Sequence, residues 1–183
     1  MTYVALLRGI NVGGNNKINM QQLKLVFLDA GMQNVTTYIN SGNIIFSNDK
    51  LTQNELVALL ESAILSSFKL PIKVLLRDSR NISIVVDALP LSWKNDTAVK
   101  CDVMFLWDAV DKPGLLDGLT NHVIEDIAYR PGAILWRIDR SNVSKSKIPK
   151  LVGKGLYKNM TIRNCNTVRA IYAIMTQSEQ RGR

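Results

Sequence analysis

Three short polar segments carry the side chains best suited to holding a ligand. Residues 8–17 read RGINVGGNNK. Gly13 and Gly14 can turn backbone N–H groups toward an anion, and Arg8 and Lys17 place positive charge beside them, with the Asn11 amide in the same loop. Residues 161–167 read TIRNCNT. Taken as the opening of the last helix, this segment offers free N–H groups and a positive dipole end. Arg163, Asn164, Asn166 and Thr167 there suit an anion or an amide. The third segment, 38–43, reads YINSGN and forms a polar hairpin tip with Tyr38, Ser41 and Asn43. Each segment also has a plainer reading. The first can be a loop that needs positive φ at its glycines, the second two ordinary helix caps beside an exposed arginine, the third simple turn chemistry.

The spacing argues against nucleotide hydrolysis. Gly9 and Gly14 stand as in a phosphate-binding P-loop, but Asn15 occupies the position that needs lysine, and Lys17 comes two residues late. The run from Val103 to Asp108 resembles a Walker B strand, yet apolar strands ending in aspartate are common, and no GxGxxG is present. Other candidates carry less. His122 is the one histidine, so multi-histidine metal sites are excluded, and no nucleophile presents itself as its partner. Cys165 beside Arg163 at a helix start could have a lowered pKa, although such a cysteine is more often simply buried. Lys147, Lys150, Lys154 and Lys158 share one face of a helix if it persists; they could track phosphates or merely face water.

Composition sets the outer limits. The 183 residues are 46% hydrophobic and 21% charged, a globular balance that rules out disorder, collagen and coiled coil. No apolar run approaches the ~18 residues of a membrane helix, and no basic leader precedes the first strand, so neither membrane nor secretory signal is expected. Cys101 and Cys165 form no CxxC and read as free thiols of a reducing compartment, which points to the cytoplasm. The net charge of +8 is uneven: residues 141–183 hold 9 basic and 1 acidic side chains. That asymmetry points to an anionic partner or to a solubility face.

The elements that must position these segments read as a repeated α/β pattern. An apolar run from Tyr3 to Ile10 predicts a buried strand. Asn19 caps a helix with Met20, Leu23, Phe27 and Ala30 inward, and Gly31 closes it. Strands over 35–39 and 43–46 turn at Ser41-Gly42. Thr52 and Glu55 form a capping box for a helix that Pro71 ends, and 72–76 is a fourth strand. The order is βαββαβ, the ferredoxin-like arrangement. A linking helix over 78–90 and a loop holding Trp93 follow. The second half predicts a strand over 103–107, a short helix over 113–119, a hairpin over 123–129 and 133–138, and helices to the end, with Pro149 in the first turn of one capped by Ser146. Asn164 or Asn166 caps the last, which carries the stripe Val168, Ile171, Tyr172 and Met175. Residues 41–46 (SGNIIF) echo 131–136 (PGAILW), which suggests an internal duplication.

Residues 5–14 (ALLRGINVGG) with Lys17, 37–43 (TYINSGN) through Phe46, and 161–168 (TIRNCNTV) together resemble the bacterial family catalogued as a domain of unknown function, number 1697. The resemblance implies a cytoplasmic single-chain protein of two ferredoxin-related α/β subdomains and brings no activity with it. Members commonly carry tryptophan where Cys165 stands here. The expected fold is therefore α+β, with antiparallel sheets in two ferredoxin-like-related subdomains, 1–90 and 91–183. The favoured function is binding, with turnover left open, of a phosphate-bearing or other anionic ligand without a cofactor or metal. Its site would be built from Arg8, Asn11, Gly13, Gly14, Lys17, Tyr38, Ser41, Asn43, Arg163, Asn164, Asn166 and Thr167. The alternatives are a weak nucleic-acid-binding module using the basic C-terminal segment, or a protein-interaction scaffold.

Overall fold

β1 (Thr2–Leu7) is buried along its whole length, as an unbroken apolar run should be. The computed structural model describes every residue except 15, 118–122, 147, 149–154 and 182–183. The chain forms two units, Met1–Arg80 with Ile171–Arg183, and Asn81–Ala170. His122, Lys147, Lys150, Lys154 and the helix expected around Pro149 lie outside the described residues.

In the first unit β1 is followed by α1 (Met20–Asp29), β2 (Gln33–Tyr38), β3 (Asn43–Ser47), α2 (Gln53–Phe68) and β4 (Val74–Asp78). The sheet order is β2-β3-β1-β4, and every neighbouring pair is antiparallel. This is the ferredoxin-like arrangement that the order of elements predicts. Tyr3, Ala5, Leu7, Ile44, Phe46, Val74 and Leu76 share a core with Leu23 and Phe27 of α1 and with Leu56, Leu60 and Ile64 of α2. Phe46 meets the Tyr3 ring at 5.8 Å between centroids and the Phe27 edge at 5.6 Å. Caps fix the helix starts. The Asn19 side chain accepts from the N–H groups of Gln21 and Gln22, and Thr52 with Glu55 closes a full capping box.

The second unit holds most of α3 (Ser79–Asp87), then β5 (Val99–Leu106), β6 (Glu125–Arg130), β7 (Ala133–Asp139) and β8 (Met160–Asn164), and the start of the last helix (Cys165–Arg181). Its sheet order, β6-β7-β5-β8, repeats the first with every pair antiparallel. The registers repeat too. Val4 faces Ile45 and Arg77, and Val103 faces Leu135 and Arg163. Leu7 N–H donates to the Gly42 carbonyl at 2.8 Å, and Leu106 N–H to the Gly132 carbonyl at 2.9 Å. Arg8 N–H reaches Lys73 at 3.0 Å, and Trp107 N–H reaches Asn159 at 3.0 Å. The two sheets share one strand order and one pattern of register.

Several expectations are corrected. Residues 160–164 are a strand, not part of a helical end, because Thr161 and Ile162 complete the edge of the second sheet beside β5. The short helix over 113–119 is a turn across its described residues: Gly114 takes φ +79°, and Asp117 N–H donates back to its carbonyl at 3.0 Å. β1 stops at Leu7 rather than Ile10, because Gly9 at φ +70° turns the chain out of the sheet. Residues 81–90 of the expected first subdomain group with the second unit, and Ile171–Arg183 of the expected second with the first. The Asn81 amide donates to the Pro131 carbonyl at 3.2 Å, and Arg169 donates to the carbonyls of Trp93 and Pro90 at 2.7 and 2.8 Å.

Candidate functional site

The glycine-rich loop leaves the sheet where β1 ends. Asn11, Gly13, Gly14 and Asn16 all take positive φ, so four left-handed residues fold the chain back toward α1 within a few positions. The Asn11 side chain clips this fold shut. Its amide donates to the carbonyls of Ile18 at 2.9 Å and Asn40 at 2.8 Å, and its oxygen accepts from Ile18 N–H at 2.8 Å. Asn16 adds a bond to the Gly9 carbonyl at 3.0 Å. Asn11 is therefore the bracket that joins loop, helix start and hairpin tip.

The hairpin tip is tied as firmly. Asn43 is fully buried, and its amide donates to the Tyr38 carbonyl and the Ser41 hydroxyl, both at 3.1 Å. Gly42 has φ +75°, and a Cβ there would lie 2.8 Å from Leu7 Cβ. Tyr38, Ser41 and Asn43 thus shape the tip internally, and it is Asn40 that faces outward to the loop.

Between loop, tip and helix start lies a pocket of about 410 Å³, within the range of small-ligand sites, lined by Asn11, Gly14, Lys17, Ile18, Asn19, Met20 and Asn40. Among the described residues Lys17 is its one ionisable side chain. Three asparagines and the Gly14 backbone offer neutral donors and acceptors around it, with Ile18 and Met20 as apolar floor. The sequence points to Asn11, Gly14 and Lys17, and marks Asn19 only as a cap. Asn40, which the YINSGN segment contains, gave no signal of its own, because its contribution depends on how far the tip reaches across to the loop.

Neither Arg8 nor Arg163 lines this pocket. Arg8 is half-buried at the end of β1. Arg163 sits within β8 in the other unit and is buried. Its Nη1 donates to the Thr161 hydroxyl at 3.0 Å and the Ile162 carbonyl at 2.8 Å. Burial lowers its pKa to about 10, which leaves it charged at neutral pH. Arg77 in β4 holds the matching place and makes the matching bond, Nη1 to the Leu76 carbonyl at 2.8 Å. Asn164 caps the last helix by accepting from Thr167 N–H at 2.8 Å. Asn166 donates to the Asn95 carbonyl at 2.9 Å and accepts from Asn95 N–H at 3.4 Å. Thr167 is buried beneath that cap. No described group of three or more histidine, cysteine or acidic side chains is placed to hold a metal ion. No described helix is long and apolar enough to cross a membrane.

The family model described as "Protein of unknown function (DUF1697)" matches residues 1–133, and the chain belongs to that family. The structure of conserved bacterial protein SP0830 from Streptococcus pneumoniae is similar, with a TM-score of 0.79 and 28% sequence identity. The match covers 95% of this chain and 98% of that one, so the likeness extends over both units. No curated protein matches the chain.

Proposed function

We propose that this member of a family of unknown function binds a small phosphate-bearing or otherwise anionic ligand in the pocket beside the glycine-rich loop. The observation that carries the reading is the convergence of Lys17, Gly14 and three asparagines on one concave site of ligand size. Lysine supplies a compact charge on a flexible stem, and neutral amides supply direction. A phosphate group satisfies both and leaves its organic part to Ile18 and Met20. The α1 dipole adds to the attraction, although Asn19 already accepts from two of its leading N–H groups.

The reading is one of binding rather than turnover, because no nucleophile other than Lys17 faces the pocket among the described residues. Arg163, Asn164, Asn166 and Thr167 are left outside it, since the bonds above commit them to their own strand, cap and loop. We place the protein in the cytoplasm, on the two free thiols.

A thermal-shift screen with inorganic phosphate, sugar phosphates and nucleoside monophosphates tests the proposal. At least one phosphate ester should raise the melting temperature of the wild-type protein, and Lys17→Glu should remove that rise while leaving the unliganded melting temperature nearly unchanged. A rise that survives Lys17→Glu would place the ligand elsewhere. A screen without any rise would count against an anion site.

A further inference from the structure

The two cysteines, distant in sequence, meet in the second unit. The β5–β8 ladder ends with Asp102 opposite Asn164, so the next register step sets Cys101 opposite Cys165, the first residue of the last helix. Opposed residues on antiparallel strands share a face and have Cα atoms about 4.5–5.5 Å apart. That lies inside the ~4.4–6.8 Å a disulfide spans. Both are free and fully buried. Cys165 Sγ donates to the Trp93 carbonyl and to Asn166 Oδ1, both at 3.5 Å, and the Cys101 thiol is close enough to perturb its ionisation.

The surroundings divide the labour between them. The neighbouring Cys101 thiol, with the Arg169 guanidinium one helical turn on, outweighs burial and lowers the Cys165 pKa to about 7; its pairing with Cys165 and its burial push Cys101 upward. The segment holding Trp93 lies against Cys165. Its Sγ lies 3.5 Å from the Trp93 carbonyl. The covering loop is latched by Arg169, through the carbonyls of Trp93 and Pro90, and by Asn166, through both backbone groups of Asn95. Leu91 at its outer side is 89% exposed. Arg140 also ties the loop, through the Asp96 carbonyl at 2.7 Å and the Asn95 side-chain oxygen at 3.3 Å, and Cys101 N–H donates to Asn95 Oδ1 at 3.2 Å, so Cys165 is reached only when this irregular segment opens, at lower cost than the sheet beneath.

We propose that Cys165 and Cys101 form a modification site for hydroperoxides, in which Cys165 is oxidised first and Cys101 resolves it to an intramolecular disulfide. The Cys165 thiolate attacks one peroxide oxygen and breaks the O–O bond. The sulfur becomes a sulfenic acid, and the leaving hydroxide takes a proton to become water. Cys101 sulfur then attacks Cys165 sulfur, forming the S–S bond, and the displaced hydroxide takes the Cys101 proton as the second water. Two thiols lose two electrons and one hydrogen peroxide gains them.

Peptide mapping of the full-length protein after treatment with hydrogen peroxide tests this. The wild type should yield a Cys101–Cys165 linked peptide, lighter by two hydrogens than the separate pair. In Cys101→Ser, dimedone should label Cys165 as the trapped sulfenic acid. Asn166→Ala, which removes both the latch to Asn95 and the side-chain oxygen that accepts from the Cys165 thiol but keeps both thiols and Arg169, should form the link several-fold faster. Because Cys101→Ser alters a buried position, the wild type and Asn166→Ala decide the matter by themselves. Absence of the linked peptide in the wild type, or an unchanged rate in Asn166→Ala, would overturn the proposal.

Discussion

Gly42 is the residue on which the candidate site depends most closely. Its φ of +75° disfavours any side chain, and a Cβ would meet Leu7 Cβ at 2.8 Å and Ile10 Cδ1 at 2.9 Å. Leu7 Cβ is anchored to the β1 backbone, so the clash moves the strand end itself. Gly42→Ala should therefore destabilise the fold by about 2–4 kcal/mol, measured by urea denaturation. A loss below about 0.5 kcal/mol, the range of ordinary surface changes, would contradict the close approach. Asn11 presents a second test. Its amide and its oxygen have opposite duties, donating to Ile18 and Asn40 carbonyls and accepting from Ile18 N–H. Asn11→Asp keeps the acceptor but sets a carboxylate against two carbonyl oxygens. It should destabilise at least as much as Asn11→Ala, about 2 kcal/mol or more, despite being nearly isosteric. An aspartate variant as stable as the wild type would show that the clip does not hold the loop. The glycines and Lys17 could be picked out from their types alone. The bracket role of Asn11 could not, because it requires knowing that 11, 18 and 40 meet.

At the scale of elements, local chemistry made the first half readable. Thr52 and Glu55 announce α2, and the structure has both halves of the box, with Thr52 N–H donating to the Glu55 carboxylate at 2.8 Å and the hydroxyl at 2.7 Å. These bonds hold the Glu55 pKa below its ordinary 4.5. A carboxyl whose folded pKa is depressed stabilises the fold above its unfolded value and loses that contribution as pH falls through the folded value. The stability difference between wild type and Glu55→Gln should thus be full at pH 7 and shrink below about pH 4.5. A difference independent of pH would remove the charged cap from the account. β8 was missed because five residues ending at a helix cap carry too little periodicity to distinguish strand from helix start. The signal that could have revealed it was the duplication. Residues 74–78 (VLLRD) and 160–164 (MTIRN) both end in arginine and a capping-type residue, and a second sheet that repeats the four strands of the first requires a fourth strand there.

On the scale of the whole molecule, charge and pocket make different demands on a partner. The excess of positive charge lies in residues 141–183, whereas the pocket lies between residues 11 and 40 of the first unit. Binding to duplex DNA through the basic segment should be weak and nonspecific, with log K falling against log salt by about 0.9 for each phosphate neutralised. Affinity that persists at high salt would demand a built nucleic-acid site. A small anion held in the pocket should instead respond mainly to Lys17. The most direct measurement is a titration of the isotope-labelled protein with inorganic phosphate and the best phosphate ester of the thermal-shift screen, followed by amide NMR. The account predicts saturable shifts concentrated at Gly14, Lys17, Ile18, Asn19 and Asn40, lost in Lys17→Glu. Shifts confined to residues 141–183, or none at these five positions, would contradict it.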